Sequence, residues 1–121
     1  MEASILISTK KILGLAEDYH AFDLDIITHI NAVFSVLSQL GVGPAEGFMI
    51  EDDESEWEDF FVPEVQLNAV KTLMYLRVRM LFDPPTTSYL LEAMNKQIAE
   101  LEWRLNVFRE ELVAPFPVEE L

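Results

Sequence analysis

The sequence predicts an all-α domain, a four-helix bundle-like arrangement with a long C-terminal helix. Three observations carry that prediction. Apolar residues recur at spacings of three and four over several long stretches, the signature of one helical face. Glycine or proline closes each stretch. An Asp83-Pro84-Pro85 turn joins the last two helices so tightly that they must fold back on one another.

The elements follow in order. Residues 8–15, STKKILGL, predict a short first helix with Ser8 or Thr9 as its N-cap. AEDYHAFD reads as a connection. Asp23 then predicts an N-cap, with Asp25 favourable in the first turn of a second helix. Ile26, Ile30, Val33, Leu37 and Leu40 form its stripe, which Ile27 and Phe34 widen. Gly41, Gly43 and Pro44 end it. Residues 44–62 break the pattern and predict an irregular acidic loop, with a candidate short strand at Gly47-Phe48-Met49-Ile50.

Pro63 suits the first turn of a third helix. Leu67, Val70, Met74, Val78 and Leu81 mark one stripe, and Leu73, Leu76 and Met80 a second flank. Apolar over much of its girth, this helix is expected at the centre of the domain. Pro84 and Pro85 stop it near Phe82, because neither offers an N–H and each biases the preceding residue away from helical geometry. Thr86, Thr87 and Ser88 supply N-cap oxygens for the fourth helix. There Leu91, Met94, Ile98, Leu101, Leu105, Phe108 and Leu112 make a heptad-like seam. Glu92–Lys96 and Glu100–Arg104 stand at i,i+4 in the favourable orientation. Pro115 and Pro117 end this helix. The domain is therefore expected over residues 1–114, with an extended tail over 115–121.

Composition narrows the functions. The chain has 121 residues, no cysteine and a net charge of −14. Disulfides, thiolate zinc sites and cysteine nucleophiles drop out together. An acidic chain is a poor general binder of phosphate backbones and of anionic membrane surfaces. The uncharged run at 26–45 has the length of a membrane span, but its polar residues and glycines fit a buried amphipathic helix better. Residues 1–16 show no signal-peptide pattern. His20 and His29 stand in no zinc-like spacing, and neither a phosphate-binding glycine loop nor a nucleophile elbow is present. No enzyme activity and no cofactor are expected, and the partners are expected to be proteins.

The candidate residues are accordingly those of interfaces. Glu51, Asp52, Asp53, Glu54, Glu56, Glu58 and Asp59 place seven acids in nine residues. Such a block is a solvated loop, or else an electrostatic surface that repels DNA or meets a basic partner. It lacks the ligand alternation of a calcium loop. Trp57 in its midst, with Phe60 and Phe61, is a candidate anchor onto the helices or onto a neighbouring subunit. Arg77 and Arg79 interrupt an apolar helix; they snorkel or pair across an interface. Trp103 lies off the seam, beside Lys96 and Ala99, and either covers the first helix or faces a partner.

The order of these segments carries a resemblance. A short N-terminal helix is followed by LDIITHINAVFSVL and an acidic insertion. YLRVRMLFDPPTTSYLLEAM then leads into IAELEWRLN. Over residues 5–112, and most sharply over 75–104, this resembles the head–tail connector (head-completion or adaptor) proteins of long-tailed bacteriophages. The resemblance implies an all-helical subunit of a ring, usually of twelve copies, beneath the portal protein. One face would meet the portal and the other a stopper or tail-completion protein, with DNA passing through the lumen. It implies a place in the virion neck, reached from the host cytoplasm during assembly. It supplies no catalytic residue. By position it makes residues 75–105 the scaffold, 44–62 a variable loop, and residues 113–121, with Phe116, a portal-docking segment. Asp83, Pro84 and Pro85 are its hinge. The alternatives are another phage-neck or tail-completion subunit, an acidic DNA-mimic inhibitor, and a coiled-coil regulatory dimer using the seam.

Overall fold

The computed structural model describes residues 3–60 and 62–113, the last six by backbone alone. Four helices appear in the expected order: α1 (Ile5–Ile12), α2 (Asp23–Gln39), α3 (Glu64–Phe82) and α4 (Ser88–Val113), with a 3-10 turn at Trp57–Phe60. The described residues contain no strand, and the architecture is all-α.

The first helix starts earlier than Ser8 or Thr9 would put it. Its N-cap is Ser4, whose Oγ accepts the Ile7 N–H at 3.2 Å. Ser8 and Thr9 lie inside the helix and donate their hydroxyls to the Ile5 carbonyl at 3.1 and 2.8 Å. Within a helix, such hydroxyls bond back to the preceding turn rather than cap. Asp23 also does not cap. Phe22 occupies that position, and the Asp23 carboxylate turns to Lys10 and His20 instead.

The expected strand at 47–50 is absent because no second strand lies beside it. One side chain takes the ladder's place. Asn31 of α2 donates to the Ile50 carbonyl at 2.9 Å and accepts the Ile50 N–H at 2.8 Å. Both backbone groups of a buried residue are thereby satisfied. Gly43 shows why the loop needs glycine. Its φ is +96°, and an added Cβ would lie 2.6 Å from the buried Phe60 ring.

α3 is central. α1, α2 and α4 all pack on it, α1 also packs on α2, and α2 and α4 make few contacts with each other. Val70, Leu73, Met74, Leu76 and Val78 are buried, whereas Leu81, expected in the stripe, is 53% exposed near the end of the helix. Pro63 sits one residue before the helix, as its N-cap. On α4, Met94, Ile98 and Leu105 are buried, and Leu101 packs at the margin. Of the seam, Met94, Ile98, Leu101 and Leu105 therefore belong to the domain's own core, whereas Leu91 is only half-buried. Phe108 and Leu112 lie beyond the described side chains. Glu100 and Arg104 pair at 2.7 Å. Glu92 and Lys96 do not pair; both are exposed, and such a contact gains little in water.

The hinge is as tight as the prolines require. α3 ends at Phe82, and Asp83 leaves helical geometry at φ −150°, ψ 71°. Thr87 stands just before α4, its Oγ1 accepting the Leu90 N–H at 3.4 Å. Pro85 is buried under the turn.

Candidate interaction surfaces

The acidic loop is pinned rather than loose. Trp57 is only 6% exposed; its indole N–H donates to Ser8 Oγ at 2.9 Å, and its ring packs near Phe34. Phe60 is buried against Phe34 and Phe48. Backbone bonds from Ile5 to Ser55 and from Trp57 to Ala3 tie the loop to the start of α1. Of the two readings of Trp57 and Phe60, the structure shows the anchor onto the helices. Tertiary packing consumes Phe60 and all but a margin of Trp57. Phe61, Phe116 and the tail lie outside the described residues.

All seven carboxylates of the block remain exposed. Two also shape the loop: Asp52 accepts the Glu54 N–H and Asp59 accepts the Glu56 N–H, both at 2.9 Å. The other five have no bond to a described partner, so the segment presents concentrated negative charge on a fixed support.

The arginines are spent within the chain. Arg77 of α3 forms a part-buried ion pair with Glu102 of α4. Arg79 donates to the Tyr75 hydroxyl at 3.2 Å and to the Asp83 carbonyl at 3.4 Å, bracing the hinge. Trp103, by contrast, is 66% exposed on α4, and Tyr89 is 79% exposed on the same helix. Of the two readings of Trp103, covering α1 is not what the structure shows.

One cluster escaped sequence reasoning. The Lys10 ammonium is buried to 1%; it lies 2.8 Å from Asp23 Oδ1 and donates to the Glu17 carbonyl at 3.1 Å. His20 Nδ1 lies 2.8 Å from the other Asp23 oxygen. Burial alone would raise the Asp23 carboxyl, but the hydrogen bonds and charge of Lys10 and His20 outweigh it and hold it below its usual value. The sole sequence signal was a lysine on the helix flank that faces the core. The cluster joins α1 to the start of α2 and has the form of a structural clamp. Among the described residues no three His, Asp or Glu side chains converge to hold a metal ion, and no helix is long and apolar enough to cross a membrane.

Buried aromatics and a braced hairpin make the described residues a stiff helical scaffold. A family model described as phage connector protein matches residues 5–112. The chain belongs to that family, whose members are structural head–tail connector proteins of bacteriophages. No curated protein and no solved structure matches the chain.

Proposed function

We propose that the chain is the adaptor subunit of the phage neck, forming a ring, of twelve copies in the virion, that docks beneath the portal protein. The opposite face of the ring receives a stopper or tail-completion protein, and the genome passes through the lumen. The protein acts by shape and repetition, without catalysis.

The observation that carries this reading is the one-sided packing of α4. α3 covers one side, while Trp103 and Tyr89 remain exposed elsewhere on the same helix. A closed ring needs a head-to-tail contact repeated around the circle, hence a stiff element with an unused face. α4, about 39 Å long and braced by the Arg77–Glu102 pair, fits that requirement. The pinned acidic loop fits a lining past which DNA slides, since fixed carboxylates repel phosphate. The net charge of −14 also opposes self-association. The free subunit is therefore monomeric or weakly associated, and the portal templates the ring.

Electron microscopy of the protein mixed with its cognate portal tests this directly. A ring of density added below the portal is expected, and Trp103→Glu abolishes it while leaving the helical circular dichroism intact. A portal that stays bare in the presence of the unaltered protein refutes the reading. So does a tight ring formed at low salt without portal.

A further inference from the structure

Between α1 and α3 lies an open groove of about 400 Å³, unused by the surfaces above. The margin of Trp57 and the Tyr75 ring give it aromatic walls, Ile12 is 54% exposed at its edge, and Asn68 lies along it. Lys11 and Lys71 bring two ammonium groups to the same place. The Lys71 Nζ stands 5.6 Å from the centre of the Trp57 ring, and no described carboxylate pairs with it.

This groove and the exposed Trp103 lie on opposite flanks of the molecule. Successive residues of a helix advance by about 100°. Tyr75 lines the groove and Arg77 pairs with Glu102 of α4, so groove and α4 stand about 200° apart around α3. α1 and α4 both pack on α3 and touch each other little. On α4, Met94, Ile98 and Leu105 are buried, whereas Trp103, 66% exposed, comes two residues before Leu105 and points away from α3. Tyr89, Lys96 and Trp103 recur every seven residues along that outer face, all of them exposed. Each subunit thus carries an aromatic knob on one flank and an aromatic-walled groove on the other.

We infer that Trp103 of one copy seats in the α1–α3 groove of the next, making knob and groove the head-to-tail contact; the inference rests on the ring reading above. The chemistry matches. A net charge of −14 repels a second copy, so a self-contact forms where that repulsion is weakest. Lys11 and Lys71, two of the eight bases in the chain, stand at the groove. An ammonium is drawn to the negative face of a tryptophan ring. Beside the knob, Glu100 is engaged by Arg104 and Glu102 by Arg77, so these carboxylates arrive already paired. Tryptophans that fill a pocket are the usual anchors of protein interfaces.

Height also agrees. The Arg77–Glu102 pair sets the register of the antiparallel hairpin, which puts Trp103 level with Leu76. Along α3 the groove runs from Asn68 to Tyr75, so its ends lie about 12 Å and about 1.5 Å from that level. With the hairpin upright along the ring axis, knob and groove at similar height relate neighbours by rotation with little rise. A head-to-tail contact of that kind closes into a ring, whereas a large rise would build a filament.

The sequence has no cysteine, so Ala99→Cys, one turn from Trp103 on α4, carries a single benzophenone photo-crosslinker. Labelled chain is diluted into unlabelled chain, assembled on the cognate portal and irradiated, with ring formation checked by electron microscopy. An adduct between two chains is expected, mapping by peptide mass spectrometry to residues 8–12 or 68–75 of the unlabelled one. Lys71→Glu in the unlabelled chain removes the adduct. Trp103→Phe in the labelled chain retains it and Trp103→Ala loses it, both with unchanged circular dichroism. Rings without this adduct overturn the inference and leave the ring reading standing. An adduct on the neighbour's α4 means like faces meeting across a twofold axis, and one on the portal gives the Trp103 face to the portal; either overturns the placement. A portal left bare by the unlabelled, unaltered chain refutes the ring reading and this inference with it.

Discussion

A single buried ammonium shows how one residue reorganises its surroundings. Lys10 draws the Asp23 carboxylate away from the capping role that its sequence position suggests. Removing one partner of a buried ion pair leaves the other charge uncompensated. Asp23→Asn is therefore expected to cost about 3 kcal/mol, the low end for such pairs, because Asp23 is itself 24% exposed. Urea unfolding at pH 7 measures it. The pH dependence has a fixed sign. The folded carboxyl lies below the roughly 3.9 of an unfolded aspartate, so its stabilisation is complete above about pH 4. It is lost as the pH falls through the folded value. Asp23→Asn should flatten that acid limb, and an unchanged limb would refute the clamp. Gly43→Ala is expected to cost about 1–3 kcal/mol, since its new methyl meets the Phe60 ring and its φ is positive. Phe60→Leu in the same chain should recover part of the loss if the clash is the cause.

At the scale of elements, the hairpin of α3 and α4 owes its stiffness to two different devices. Pro84 and Pro85 act through the unfolded chain, whose freedom they reduce by about 0.4–1 kcal/mol each where the native backbone suits proline. The Arg77–Glu102 pair acts through the folded state, tying the helices together across a part-buried contact. Replacing both prolines by alanine should lower the urea midpoint with little change in slope, because the surface exposed on unfolding is nearly unchanged. A double-mutant cycle on Arg77 and Glu102 should return a coupling of about 1 kcal/mol, above the typical exposed pair and below a fully buried one. A coupling near zero would leave the hinge as the sole brace.

For the whole molecule, charge governs behaviour in solution. With −14 distributed over one small domain, self-repulsion opposes the compact state and falls as salt screens it. The thermal midpoint is expected to rise as sodium chloride goes from about 10 mM, where the screening length is about 30 Å, to about 0.1 M, where it is about 10 Å. A midpoint that falls over that range would mean that the few ion pairs dominate the unpaired carboxylates.

The sequence by itself determined the helix order, the position of the hinge and the exposed acidic block. These depend on periodicity, on proline's missing N–H and on the cost of burying charge, all of which are local. The family resemblance was legible for the same reason, since it rests on that order and on the DPPTTS turn. Only the tertiary structure decided which side chains were consumed. Trp57 and Trp103 look alike in the sequence, yet one is buried beneath Lys71 and the other stands in solvent. Asn31 replaces a strand, and Lys10 draws Asp23 away from its cap, because partners distant along the chain arrive only when the helices pack.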